Sequence, residues 1–200
     1  MSIRRFDLAS AKHMPWKNGT GSTAELVIFP AGASLEDFAW RISSATVGGH
    51  GSFSSFAGLD RSLAILSGEG LRLHTQDAAP LVLTARSQPW AFRGETTVYA
   101  ELMDGEVTDF NLMSRRADWT HQLEMLDISG CQTLATVDHA TVVMLYCQSG
   151  GPLTCRGQQV LTAGQGLLLD EDDANQTIEL NAQTPSKLFL ARLQHHTSQS

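Results

Sequence analysis

Polar side chains interrupt two segments of this sequence that otherwise have the composition of buried strands. Arg41 and Ser43 lie within DFAWRISSATV, and Asp109 and Asn111 lie within TDFNLM. Because successive side chains of a strand alternate between faces, Arg41 and Ser43 share one face, and so do Asp109 and Asn111. A buried polar group is costly unless it has a partner. The pattern therefore predicts a polar-lined cavity for a small anionic or amide-bearing ligand.

Arg41 and Arg61 are the candidate anion-binding residues. A guanidinium is planar and holds a carboxylate through two parallel N–H bonds. Arg61 follows GLD and opens a predicted strand. The alternative is that the two arginines pair with Asp109, Asp60 or Glu25 and hold the strands together. The sequence leaves this choice open.

Asp109 and Asn111 offer complementary chemistry. The amide of Asn111 has donors and an acceptor, which suits an amide ligand such as a formamido group. Asp109 is placed to orient Arg41, and a carboxyl group in an apolar cavity can have a raised pKa and act as a general acid or base. The alternative is a pair satisfied by neighbouring backbone. No catalytic residue is assigned, because no nucleophile is found beside a base and the GxSxG motif is absent.

The segment WKNGTGSTAEL is polar and interrupted by glycine. Asn18 and Gly19 predict a tight turn, and the phosphate-loop pattern GxxxxGKS/T is absent. We expect this loop to close over the mouth of the cavity and to contribute Lys17, Asn18 or Thr23, with Glu25 at the beginning of the strand that follows. The alternative is a turn that only leads into that strand.

Two phenylalanines, Phe53 and Phe56, lie between small residues in GSFSSFAGLD. One interpretation is an aromatic wall of the cavity. The other is a loop whose two rings close one end of the barrel.

Short apolar runs recur along the chain between glycine, proline, asparagine and aspartate, and helical periodicity is scarce. This pattern predicts an all-β sandwich or barrel. The stretch that begins with RSLAILSGEGLRLHT at Arg61 resembles the one that begins with ATVVMLYCQSGGPLTC at Ala140 in its order of strands and turns, which indicates duplication of one β-module. We place the modules at residues 1–116 and 117–200, joined by RADWTHQLEML as extended chain or a helical turn.

Composition excludes several classes of partner. The chain has 200 residues, a net charge of -7 and a pI of about 5.4. Such a chain lacks the basic face that binding to nucleic acids or to anionic membrane surfaces requires. With no apolar run of about 18 residues and no signal-peptide core, we expect a cytoplasmic protein without a membrane partner. The three cysteines form no CxxC pair, and we interpret them as buried free thiols.

Five ordered blocks in the first half carry a family resemblance: MPWKNGTGSTAEL, FAWRISSATV, GSFSSFAGLDRSLAILSGEG, PWAFRG and DFNLMSRR. Between Met14 and Arg116 the chain resembles the HutD/Ves family, whose proteins have a double cupin-like fold. The resemblance implies an all-β, double cupin-like (bicupin) barrel or jelly-roll architecture. We expect the ligand pocket in the N-terminal module, and the second half fits a degenerate cupin-like module.

The family is associated with histidine-utilisation gene clusters, and the resemblance implies binding of a small metabolite, such as formylglutamate or urocanate, that modulates histidine catabolism. The residues expected to bind it are Asn18, Glu25, Arg41, Ser43, Arg61, Asp109 and Asn111. We expect no metal and no cofactor, because the HxH pair, the Glu and the later His of metal-dependent cupins are absent. Sheet edges favour a homodimer. The alternatives are a metal-free enzyme acting on a small organic acid and a structural or protein-interaction module.

Overall fold

The protein is built almost entirely from β-strands. The computed structural model describes residues 3–16, 19–135, 140–155, 159–170 and 176–196, which contain seventeen strands and one 3-10 helix, Leu8–Ser10. The strands are β1 (Ile3–Asp7), β2 (Lys12–Pro15), β3 (Gly21–Phe29), β4 (Trp40–Val47), β5 (Gly51–Ser52), β6 (Leu59–Ser67), β7 (Leu71–His74), β8 (Leu81–Leu83), β9 (Trp90–Arg93), β10 (Tyr99–Leu102), β11 (Val107–Arg115), β12 (Trp119–Leu134), β13 (Val142–Ser149), β14 (Leu153–Cys155), β15 (Gln159–Leu161), β16 (Gln165–Asp170) and β17 (Ile178–His195). In the part of the chain that is described, no helix has the length and hydropathy needed to span a membrane.

The chain folds as two compact units. The N-terminal unit is Ala11–Trp119, and the C-terminal unit is Met1–Ser10 together with Thr120–Ser200. This division differs from the expected modules, 1–116 and 117–200, chiefly at the start of the chain. Strand β1 pairs antiparallel with β16, so the first residues complete the sheet of the C-terminal unit.

Two sheets form the N-terminal unit. One has six strands in the order β2-β3-β4-β11-β6-β9, and the other has four in the order β5-β10-β7-β8. Apolar side chains from both sheets pack into one cluster. Its buried members are Leu63, Ile65, Leu71, Leu73, Leu83, Val98, Ala100 and Val107. This is the all-β, cupin-like jelly-roll architecture that the sequence predicts.

One sheet dominates the C-terminal unit. Its strands run β1-β16-β13-β17-β14-β15, and β12 pairs with β17. The core is aliphatic apart from two thiols, Cys147 and Cys155, which are buried as expected, whereas Cys131 is exposed. The segment RADWTHQLEML contains no helical turn of the kind considered above: β12 begins at Trp119 and continues for 16 residues. The apolar segments IEL and KLFLARL belong to one 18-residue strand, β17.

Candidate functional site

The register of three central strands assembles a polar face on the six-stranded sheet. Asn111 on β11 lies opposite Ser43 on β4. Met113, two residues further along β11, lies between Arg41 on β4 and Arg61 on β6. Directly paired residues of antiparallel strands point to the same side of a sheet. This face carries Arg41, Ser43, Arg61, Asp109 and Asn111, and all five line one cavity.

The cavity has a volume of about 480 Å³, which lies within the range of small-molecule sites. Its floor is the polar face of the six-stranded sheet. Strands β5 and β10 of the four-stranded sheet contribute part of the wall, and the connections before β3 and on both sides of β5 contribute the rest. The wall residues from these elements include Trp16, Thr20, Gly49, His50, Gly51, Ser52, Phe53, Ser54, Phe56 and Ala100.

An aromatic cage surrounds the guanidinium group of Arg61. The guanidinium carbon lies 5.5 Å from the ring centre of Phe53, 5.4 Å from that of Phe56 and 4.9 Å from that of Phe92. Aromatic faces attract cations, and the attraction grows as water is excluded. Phe53 and Phe56 therefore form a wall beside the cation and line the cavity, which is the first of the two interpretations offered above.

Arg61 has only neutral hydrogen-bond acceptors in the described part of the chain. Its Nη1 donates to the Ser54 carbonyl oxygen at 3.2 Å, and its Nη2 donates to Oδ1 of Asn111 at 2.9 Å. Its Nε has no acceptor there. Burial lowers the pKa of Arg61 to about 10, and the nearby charge of Asp109 opposes this shift. The site thus holds a desolvated cation that makes no direct ion pair.

Asp109 is the most deeply buried carboxylate of the site, with 2% of its surface exposed. Its Oδ1 accepts the Ala45 backbone N–H at 3.0 Å and Nδ2–H of Asn111 at 2.7 Å. Burial raises the pKa of Asp109 to about 7, although these two bonds and the charge of Arg61 each act to lower it. Asn111 therefore connects a carboxylate to a guanidinium, donating to the first and accepting from the second.

Arg41 has a carboxylate partner, unlike Arg61. Its Nε donates to Oε2 of Glu25 at 3.0 Å, and the Arg41 side chain is 6% exposed. Glu25 was expected to bind the ligand directly, but it is not among the residues that line the cavity. Glu25 thus orients Arg41, a role that the sequence analysis had also considered for Asp109. Asp60, the third candidate, pairs instead with Arg116 at 2.7 Å.

Two further residues of the cavity wall are not predicted from the sequence. The indole N–H of Trp16 donates to Oγ1 of Thr23 at 2.8 Å, which fixes the ring against the cavity. His50 accepts the Leu102 backbone N–H on Nδ1 at 2.9 Å, so the ring proton of the neutral imidazole is on Nε2. The sequence feature that could have indicated His50 is the presence of glycines on both sides of it in GGHGS. Asn18 lies outside the described residues.

Metal ligands are not clustered in the described ranges: no group of three or more His, Cys, Asp or Glu side chains is arranged to hold an ion. Of the described histidines, His50 lines the cavity, and His74 interacts with Glu101 at 3.1 Å. The site offers two guanidinium groups, a carboxyl group, an amide and hydroxyl groups, which bind organic acids and amides.

Comparison with known proteins identifies the family. The model of the HutD family matches residues 8–190. The chain belongs to the HutD family. This family is associated with histidine utilisation. An uncharacterized 21.2 kDa protein from the hutC 3' region of Pseudomonas putida is 34% identical over 151 residues, which cover 76% of this chain and 77% of that protein. Protein Ves of Citrobacter koseri is 33% identical over 162 residues, 80% of each chain.

Solved structures of HutD-like proteins have the same architecture. A conserved protein of unknown function from Pseudomonas aeruginosa PAO1 superposes with a TM-score of 0.85 at 32% identity, over 97% of this chain and 100% of that one. HutD from Pseudomonas fluorescens SBW25, solved in a formate condition, gives a TM-score of 0.84 at 29% identity, over 98% and 100%. YhhW from Escherichia coli, with 11% identity and a TM-score of 0.67 over 98% and 100%, shares the fold alone.

Proposed function

We propose that the N-terminal unit of this HutD-family protein is a receptor for a small metabolite with a carboxylate or amide group, such as formylglutamate or urocanate. Occupancy of the cavity by this metabolite would modulate histidine catabolism. The observation that carries the proposal is the burial of the Arg61 cation. Arg61 is 6% exposed, and among the described residues it donates hydrogen bonds only to neutral acceptors.

A ligand carboxylate complements Arg61 electrostatically. Removing a cation from water is expensive unless an opposite charge compensates for the loss of hydration. The aromatic cage and the two neutral acceptors compensate only in part, as the lowered pKa of Arg61 shows. An anion that enters the cavity meets a preorganised, desolvated guanidinium, so each charge-assisted hydrogen bond it forms there is stronger than the same bond in water.

The second requirement of the ligand is a polar group that hydrogen-bonds with neutral side chains. Asn111 and Ser43 lie beside one another on adjacent strands of the cavity floor. Thr23 and Ser54 add a hydroxyl and a backbone carbonyl at the wall. These groups suit a formamido group or an imidazole N–H, and a volume of about 480 Å³ accommodates either candidate.

Support for the pathway comes from the family. The chain belongs to HutD, and one similar protein is described by its position next to hutC in Pseudomonas putida. A binding protein for a pathway intermediate links the level of that intermediate to the output of the pathway, because ligand binding shifts the population of any state that binds it better.

Thermal-shift measurements test the receptor function. Formylglutamate, urocanate, glutamate, histidine and formate are each added at millimolar concentration. A ligand present at 100 times its Kd raises the free energy of unfolding by about 2.7 kcal/mol, which is readily detected. We expect at least one acid of the histidine pathway to stabilise the protein. If none of them raises the melting temperature, the receptor proposal is rejected.

Matched arginine variants assign the response to the cavity. Arg61→Met removes the caged cation, whereas Arg72→Met makes the same change on β7 outside the cavity, where Arg72 is 45% exposed at its side chain. The stabilisation by acid should disappear in the first variant and persist in the second. A folded Arg61→Met protein that still binds with unchanged affinity would show that Arg61 is not the anion site.

A second candidate function is catalysis without a metal, because Asp109 has a pKa of about 7 and lines the cavity. A group with such a pKa exchanges protons efficiently at neutral pH. Incubating the protein with each candidate acid and following product by NMR tests this function. Turnover that is lost in a folded Asp109→Asn variant would identify an enzyme, and intact acids after prolonged incubation would favour the receptor.

A further inference from the structure

We propose that an acid entering the cavity binds together with a proton, which Asp109 takes up. This inference rests on the proposed function, because it concerns the linkage between ligand and proton at the same site. In this role Asp109 does not hold the ligand. Its carboxylate becomes neutral when the negatively charged ligand binds.

The geometry couples Asp109 to Arg61 through one amide. Asn111 donates to Oδ1 of Asp109 at 2.7 Å and accepts from Nη2 of Arg61 at 2.9 Å. The Ala45 N–H also donates to Oδ1, so both hydrogen bonds of Asp109 use the same oxygen. Within the described ranges Oδ2 accepts no hydrogen bond, and it belongs to a residue that lines the cavity. It is therefore free to carry a proton without breaking the chain of hydrogen bonds.

In the absence of ligand, the carboxylate of Asp109 is the one negative charge near the cation of Arg61 among the described residues that line the cavity. A ligand carboxylate beside Arg61 places a second negative charge near Asp109, which is itself only 2% exposed. Two carboxylates that share one cation resist simultaneous ionisation, and the one that is buried holds a proton more tightly. Since the pKa of Asp109 is already about 7, a modest further increase is enough to protonate it at neutral pH.

The other charged groups do not replace Asp109 in this role. Among the described residues, the charged or titratable side chains that line the cavity are Arg41, His50, Arg61 and Asp109. Arg61, whose pKa is about 10, remains protonated at neutral pH, and Arg41 forms an ion pair with Glu25 on β3. His50 accepts the Leu102 backbone N–H on Nδ1 at 2.9 Å. His50 is nevertheless the competing proton acceptor that an experiment must exclude.

The sign and size of the linkage follow from these charges. In the empty protein at pH 8, about one-tenth of Asp109 is protonated if its pKa is about 7, so binding takes up nearly one proton. Affinity for the acid should therefore fall as pH rises above 7, by up to tenfold per pH unit until the pKa in the complex is passed. A pH-independent affinity is expected below pH 6 for a fully ionised acid.

Calorimetric titration of the full-length protein with formylglutamate, and in parallel with urocanate, tests the inference. Titrations at pH 8 in phosphate and in Tris, whose ionisation enthalpies differ, give the number of protons taken up. We expect between about half a proton and one proton in the wild type, none in Asp109→Asn, and an unchanged number in His50→Gln. Affinity in Asp109→Asn should lose its dependence on pH between 7 and 8.5.

The outcomes separate this inference from the proposed function. Binding with no proton uptake, with proton release, or with uptake that persists in Asp109→Asn overturns the inference and leaves the receptor function standing. Absence of binding by every acid overturns both. If Asp109→Asn fails to fold, the ¹³C resonance of the Asp109 carboxyl carbon in the wild type decides: its titration midpoint must move upward when formylglutamate is added, and an unchanged midpoint refutes the coupling.

Discussion

Replacing Asp109 with asparagine should make the protein relatively more stable as pH rises from 4 to 8. Asparagine keeps an oxygen that accepts the N–H groups of Ala45 and Asn111, and it is nearly isosteric with the protonated acid. It differs in that it never acquires a charge. The comparison therefore isolates the free energy of holding an ionised carboxylate in this cavity.

The magnitude follows from the pKa of Asp109, which burial raises from 3.8 to about 7. Between these two pH values the folded protein binds more protons at this group than the unfolded chain does, so stability falls as pH increases. Each pKa unit corresponds to 1.36 kcal/mol, and the total loss is roughly 4 kcal/mol. Below pH 4 this loss of stability is absent, and above pH 7 it has its full value.

Differential scanning calorimetry of wild type and Asp109→Asn at half-unit intervals of pH measures this change. Relative to wild type, the melting temperature of the variant should rise by roughly 10 °C between pH 4 and pH 8, since a chain of this length gains about 2–4 °C per kcal/mol. Asp104→Asn, which removes an exposed carboxylate from the same unit, is the matched control and should show a much smaller change. A difference that stays constant with pH, or that favours the wild type at high pH, would refute the argument that Asp109 is costly when ionised.

Three further outcomes are expected. Gly21→Ala should lower the free energy of unfolding by about 1–3 kcal/mol in chemical denaturation and weaken acid binding, because its Cβ would collide with the Thr46 backbone carbonyl oxygen and lie 2.8 Å from the Trp16 ring; unchanged binding would contradict this role of the glycine. Leu145→Ala, in the aliphatic core of the C-terminal unit, should cost about 2–5 kcal/mol by the same assay and leave the Kd for acid unchanged at temperatures where the variant is folded. In the native protein Cys131 should react with a thiol reagent at least tenfold faster than the other two cysteines, which are buried; equal rates would indicate that the C-terminal core opens readily.

The alternation of side chains made the cavity floor predictable from sequence. A period of two is a local property of an extended chain, so placing Asp109 and Asn111 on one face requires only that TDFNLM is a strand. The same argument placed Arg41 beside Ser43. Which strands neighbour one another was beyond this reasoning.

Charge partners were less predictable because they depend on register between distant strands. Three carboxylates were candidates for the arginines, and the observed pairing of Arg41 with Glu25 lies next to an irregularity in the β3–β4 ladder after Glu25. A shift by one residue would turn Glu25 to the other face. The cage of Arg61 depends similarly on β9, which brings Phe92 directly opposite Arg61. Such long-range pairings have no local signature.

Strand ends and unit boundaries were the least predictable features. Strand β1 carries ordinary strand residues, yet its partner β16 is about 160 positions away in the chain, and only this pairing moves it to the C-terminal unit. The long strand β17 contains Asn181 and Pro185, residues that usually interrupt strands. Tertiary pairing with β13 and β14 overrides that local preference.

The cage around Arg61 also bears on how such a cavity can be lost. Three phenyl rings remain apart here because a flat cation lies among them. An apolar residue at this position would allow the rings to close on it, in the way that the aliphatic core of the other unit is closed. Under the receptor proposal, one substitution of Arg61 therefore removes most of the binding site, and the reverse change requires several coordinated steps. Loss of binding is the easier evolutionary direction.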